Sequence, residues 1–141
     1  MGDFLFRGTS ENYPGHECLQ GIPATCTSRN IFVAYLFAID SRKHGGTPVI
    51  LVFDMKMNED IEIITPNNLA AAEEEVVLKI KPLDAFDICQ CKISADEFLK
   101  IINEFKINSN DFVTRTESNI TVSKGINDEL LNKILNKMKN V

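Results

Sequence analysis

Three groups of residues able to do chemistry lie far apart in the chain: Phe6-Arg7-Gly8, Cys26-Thr27-Ser28 and Glu73-Glu74-Glu75. An arginine can grip a phosphate with a planar fork of donors that lysine does not reproduce, and an adjacent glycine leaves the backbone open to a ligand. That pairing suits a pyrophosphate. On a strand, alternate side chains share a face, so Glu73 and Glu75 project together while Glu74 points the other way. If the strand starts one residue later, Glu74 becomes the working carboxylate instead. Thr27 has a plainer reading beside this one, as the hydroxyl that caps a helix.

The surrounding sequence must hold these groups in place. Phe4-Leu5-Phe6 reads as a buried strand ending in a turn at Gly8, followed by a long Gly- and Pro-containing loop over residues 9–24. Thr27 or Ser28 can cap a helix with Ile31, Ala34, Tyr35 and Ala38 on its apolar face, ended by Arg42-Lys43-His44-Gly45-Gly46. Val49-Ile50-Leu51-Val52-Phe53 predicts a central strand covered on both faces, and residues 60–64 a more exposed one. Val76–Ile80 and Phe86–Ile93 read as a hairpin around Lys81-Pro82-Leu83-Asp84. Ser94-Ala95-Asp96-Glu97 is a capping box opening a helix that buries Phe98, Leu99, Ile102 and Phe105. Residues 112–122 have room for one or two strands, and a last helix from Asn127 carries Leu130, Leu131, Ile134, Leu135 and Met138. The class is α+β, in one domain over residues 1–141.

Composition narrows the function. The chain is 44% hydrophobic and 25% charged, as an ordinary globular protein is, which excludes disorder and fibres. Fifteen Lys and Arg against twenty Asp and Glu give a net charge of −5, so nucleic acid and anionic membranes are not favoured partners. No apolar run approaches the roughly 20 residues that span a bilayer, and the N-terminus shows neither a signal-peptide pattern nor a myristoylation motif. These features predict a cytoplasmic protein whose four cysteines, Cys18, Cys26, Cys89 and Cys91, are free thiols. Asn119-Ile120-Thr121 is a glycosylation sequon that matters only on secretion.

Other chemistries fit less well. Cys26 with His16 or His44 would make a thiol nucleophile and base, but no local signature surrounds it. The cysteine spacing matches no common zinc module, and no metal is called for. Tyr13 or Phe32 could stack on a flat ligand ring, although aromatics so placed usually belong to a core.

The ordered set of motifs resembles the arginine–serine–glutamate class of mono-ADP-ribosyltransferases, the NAD-consuming fold of cholera-toxin-like and C2/C3-like bacterial toxins. Phe6-Arg7 corresponds to the family's aromatic-Arg pair, and Glu73-Glu74-Glu75 followed by Val76-Val77-Leu78 to its Glu-x-Glu strand. Thr27-Ser28, with Ala34 and Phe37-Ala38 behind, corresponds to Ser-Thr-Ser and its helix, except that Cys26 replaces the first serine. The likeness spans residues 4–93 and implies a split β-sheet sandwich with flanking helices. It implies NAD as substrate, with Arg7 on the phosphates, the Gly8 backbone on the nicotinamide amide, and Cys26, Thr27 and Ser28 lining the site. Glu75 would stabilise the transition state and bind the ribose 2′-hydroxyl. Glu73 would orient the acceptor, an arginine on a target protein that residues 65–72 contact. The implied setting is the cytosol, either where the chain is made or in a host cell into which it is delivered as an effector. Two further readings share the fold: an inactive binding module, in which the last helix serves a partner, and an NAD glycohydrolase, in which water replaces the acceptor.

Overall fold

The computed structural model describes residues 4–13, 21–64, 74–116 and 119–140. The first strand, β1 (Phe4–Ser10), pairs antiparallel with the third, β3 (Pro48–Asp54), along its whole length from Phe4↔Asp54 to Ser10↔Pro48. Strand alternation sends Phe6, Ile50 and Val52 into one apolar cluster and Leu5, Val49, Leu51 and Phe53 into another on the opposite face. Both faces of β3 are therefore buried, as its unbroken Val49–Phe53 run predicts.

The second strand, β2 (Thr25–Ser28), leads into helix α1 (Ile31–Asp40). Helix α1 lies against β1 in the first cluster with Ile31, Phe32, Val33, Ala34, Tyr35 and Ala38 buried. The remaining strands are β4 (Ile63–Ile64), β5 (Glu75–Leu78) and β6 (Cys91–Ser94) in the main sheet, and β7 (Val113–Arg115) paired with β8 (Ile120–Val122). The antiparallel order is β4-β5-β2-β1-β3-β6, and the β4-β5-β2 half joins the β1-β3-β6 half through the single register pair Phe6↔Ser28. Helix α2 (Ala85–Ile88) packs beside the second cluster, while α3 (Ala95–Glu104) and α4 (Asp128–Met138) complete the first.

Several local expectations change. Gly8 sits within β1 and marks no turn: a Cβ there would stand 1.7 Å from the Ala34 carbonyl oxygen and 2.6 Å from the Ala38 nitrogen. The glycine is required by the close approach of helix to strand. Thr27 and Ser28 are strand residues, and the α1 cap falls to Asn30, whose Oδ1 accepts from the Phe32 N–H at 2.9 Å. The predicted hairpin of Val76–Ile80 with Phe86–Ile93 does not form. Pro82 opens a 3-10 turn, Ala85–Ile88 is helical, and Phe86, Ile88 and Cys89 pack on the second cluster. The chain thereby reaches the far edge of the sheet, where β6 pairs with β3. In α3 the buried stripe is Ala95, Phe98, Ile101 and Ile102, which leaves Leu99 at its exposed edge and Phe105 past the helix end. Ser94 caps α3 by accepting from the Glu97 N–H at 3.2 Å, as the capping box predicts.

Candidate functional site

Beside the single register pair that joins β1 to β2 lies a cleft of about 590 Å³, lined on its α1 side by Val33, Ala34 and Phe37. That volume falls in the range of small-molecule sites. Arg7, Gly8, Cys26, Thr27, Ser28 and Glu75 all line it.

Arg7 reaches from β1 to β2, where its Nη1 donates to the Cys26 carbonyl at 2.9 Å. The residue is 8% exposed, and burial lowers its pKa to about 10, a shift that nearby Tyr13 opposes. It is still a cation at neutral pH, held in a partly dehydrated setting where an anion is bound more strongly than in water.

Two contacts fix the glutamate strand against β2. The buried Thr27 hydroxyl donates to the Val76 carbonyl at 2.7 Å, and the Arg29 N–H donates to the Glu74 carbonyl at 3.1 Å. Ser28 lies in register opposite Glu75, and its Oγ accepts from the Asn30 N–H at 3.0 Å. Thr27 thus sets the height of the strand one residue past Glu75, and Ser28 steadies the turn into α1. Glu74 has a left-handed φ of 53° and is exposed outside the cleft, so it is Glu75 that begins β5 and faces the cavity. Burial raises the Glu75 pKa above the ordinary carboxylate value. Glu73 and the predicted target-contacting segment 65–72 lie outside the described residues, as do His16 and Cys18.

Cys26 departs from expectation. It is disulfide-bonded, whereas Cys89 and Cys91 are free. A sulfur in a disulfide is no nucleophile of the thiolate kind, so the reading of Cys26 with His44 as a hydrolase pair is overturned. Its backbone, as the acceptor for Arg7, is what serves the cleft. Phe32 is fully buried and stacked on Phe112 at 4.7 Å between centroids, which removes it as a ligand-stacking residue. Tyr13 does line the cleft.

Sequence reasoning missed Asp40, Ser41 and Lys43 in the cleft wall, and it placed Phe37 only on the helix behind Thr27-Ser28 and His44 only as a base for Cys26. Arg42–Gly46 reads only as a helix stop, because a terminator carries no sign of the surface that it faces. Phe37 left no sequence signal, being one apolar residue in the continuous run Ile31–Ala38; only the fold shows it 40% exposed in the cleft wall.

No protein-family model, curated protein or solved structure matches the chain. Among the described residues, no group of three or more His, Cys, Asp or Glu is placed to hold a metal ion, and no helix is long and apolar enough to cross a membrane. The cleft offers a buried cation, a half-buried carboxylate with a raised pKa, and the β1 backbone at Gly8 in its lining. Together they can bind an anionic sugar derivative and stabilise positive charge on its sugar ring.

Proposed function

We propose that the chain is an NAD-dependent mono-ADP-ribosyltransferase that modifies a side chain of a target protein, an arginine by the resemblance. The observation that carries this reading is the convergence of Arg7 and Glu75, from distant parts of the sequence, on one cleft beside Gly8, Thr27 and Ser28. In this reading the Arg7 guanidinium holds the pyrophosphate, and the Gly8 backbone takes the nicotinamide amide. The bond from ribose C1′ to the nicotinamide nitrogen breaks, and its electron pair leaves with the neutral nicotinamide. Ionised Glu75 stabilises the cationic sugar that forms and accepts a hydrogen bond from its 2′-hydroxyl. The acceptor nitrogen then attacks C1′ and releases its proton to solvent, with Glu73 assigned to orient it.

The setting belongs to the same proposal. Disulfides persist in oxidising compartments, so the bonded Cys26 favours a protein that passes through one and is delivered into a cytosol over one that resides there.

The decisive experiment incubates the purified chain with NAD labelled in the adenosine half and a host-cell extract, and follows free nicotinamide and protein-bound label. Wild type is expected to yield both, and Glu75→Ala to lose both by at least about 100-fold, the usual cost of removing a group that stabilises transition-state charge. Label transfer that survives Glu75→Ala overturns the assignment. Nicotinamide release without protein labelling identifies an NAD glycohydrolase.

A further inference from the structure

The end of the cleft away from Glu75 is built from residues that the proposed bond cleavage does not use. Glu75 stands at the level of Phe6 through the register Phe6↔Ser28↔Glu75. Ser10 is four residues further along β1, roughly 13 Å at about 3.3 Å per residue. There it exchanges hydrogen bonds with Tyr13, at 3.1 and 3.5 Å, and the Thr9 hydroxyl also donates to the Tyr13 carbonyl. The Tyr13 ring is stacked on His44, with centroids 3.7 Å apart and planes 16° from parallel, and both residues line the cleft.

This stack is held from both sides. The Glu11 N–H donates to the Thr47 carbonyl at 3.0 Å. A Cβ at Gly46, where φ is +79°, would lie 2.7 Å from Asn12 Cγ and 2.9 Å from the Asn12 nitrogen, so the turn carrying Tyr13 is pressed against the one carrying His44. His44 itself is exposed. Close by, Lys43 also lines the wall and forms no ion pair among the described residues, while the Asp40 carboxylate is engaged by Arg115 at 2.9 Å. The far end of the cleft thus joins a flat aromatic stack to a cation.

We infer that the Tyr13–His44 stack is the platform for the second base of the dinucleotide, the adenine, and that it selects NAD over the nicotinamide mononucleotide half. The inference rests on the reading of the cleft as an NAD site. A dinucleotide held by Arg7 at its pyrophosphate and by Glu75 at one ribose must lay its other base along the cleft, away from the bond being cut. A purine offers a π face that stacks on an aromatic surface, and Lys43 stands by the phosphate that carries the adenosine.

The test measures affinity by calorimetry for NAD, ADP-ribose and nicotinamide mononucleotide, with wild type, His44→Ala and His44→Phe. His44→Ala is expected to weaken NAD and ADP-ribose about tenfold, as removal of one base-stacking ring does, and to leave the mononucleotide unchanged. His44→Phe restores the dinucleotide affinity, because stacking needs the ring and not its nitrogens. His44 is on the surface, and equal thermal midpoints confirm that the variants fold. If wild type binds NAD but His44→Ala binds it equally well, or loses the mononucleotide in parallel, the platform is disproved while the transferase reading stands. Failure of His44→Phe to restore affinity also disproves stacking. A wild type that binds neither NAD nor the mononucleotide removes both claims together.

Discussion

At the scale of the residue, Glu75 carries opposing demands. The proposed reaction would need its carboxylate ionised beside a forming cation, yet burial favours the protonated form and lifts its pKa. The acid limb of activity should follow that shift. We predict that kcat/KM for nicotinamide release falls as pH drops through a value above that of an ordinary glutamate, and that Glu75→Asp stays far below wild type at every pH. A limb at the ordinary carboxylate value would show that hydrated solvent reaches the group. The same shift has a consequence for folding. A folded chain that binds a proton at Glu75 more tightly than the unfolded chain does loses stability as pH rises through the window between the unfolded and folded pKa values. At neutral pH the charge therefore opposes folding, and Glu75→Gln should be at least as resistant to urea as wild type. A lower midpoint would mean that the carboxylate is engaged favourably in the resting fold. A site that sacrifices stability for charge placement is a familiar mark of function.

At the scale of the element, the geometry of the cleft depends on how closely α1 lies on β1, and Gly8 sets that distance. The 1.7 Å separation between a Cβ at this position and the Ala34 carbonyl cannot be relieved by a side-chain rotation, because the obstacle is helix backbone. Gly8→Ala must lift α1 off the strand, and with it Phe37 and Asp40 in the cleft wall. We predict a loss of roughly 3 kcal/mol or more in urea denaturation, together with loss of NAD binding; a near-neutral change would show that the helix slides freely. This contact also marks how far the sequence could be read. Strand β3 and helices α3 and α4 were legible because their own side-chain periods declare them, and Arg7 and Glu75 because charged residues on apolar strands stand out. Gly8 was misread as a turn because the atoms that demand it arrive from a helix later in the chain. The hairpin expectation failed similarly: β5 and Phe86–Ile93 look alike locally, and only the second cluster, by taking Ala85, Phe86 and Ile88, makes the latter segment begin as a helix. The wall at Lys43 and His44 left no pattern, since polar residues that end a helix are expected whether or not a cleft lies beyond them.

At the scale of the whole molecule, the sheet is two halves joined narrowly. The β4-β5-β2 half carries Glu75 and the β1-β3-β6 half carries Arg7, so the two residues face one cleft only while the halves keep their positions. Between the strands themselves that position depends on one register pair and on the Arg7 bridge to the Cys26 carbonyl, at the residue whose sulfur is cross-linked. A covalent tie at this point restrains the strand that bears the weakest join. With Cys89 and Cys91 free, the chain denatured without reductant should titrate as two thiols, and as all four cysteines once reduced. Reduction should also lower stability by about 2–4 kcal/mol, the usual contribution of a native disulfide, read as a fall in the urea midpoint. Four thiols in the unreduced chain would remove the cross-link and return the protein to a reducing compartment. Two thiols with an unchanged midpoint would instead mean that β2 is held by Thr27 and the α1 packing alone, and that the halves of the cleft need no covalent help to stay in place.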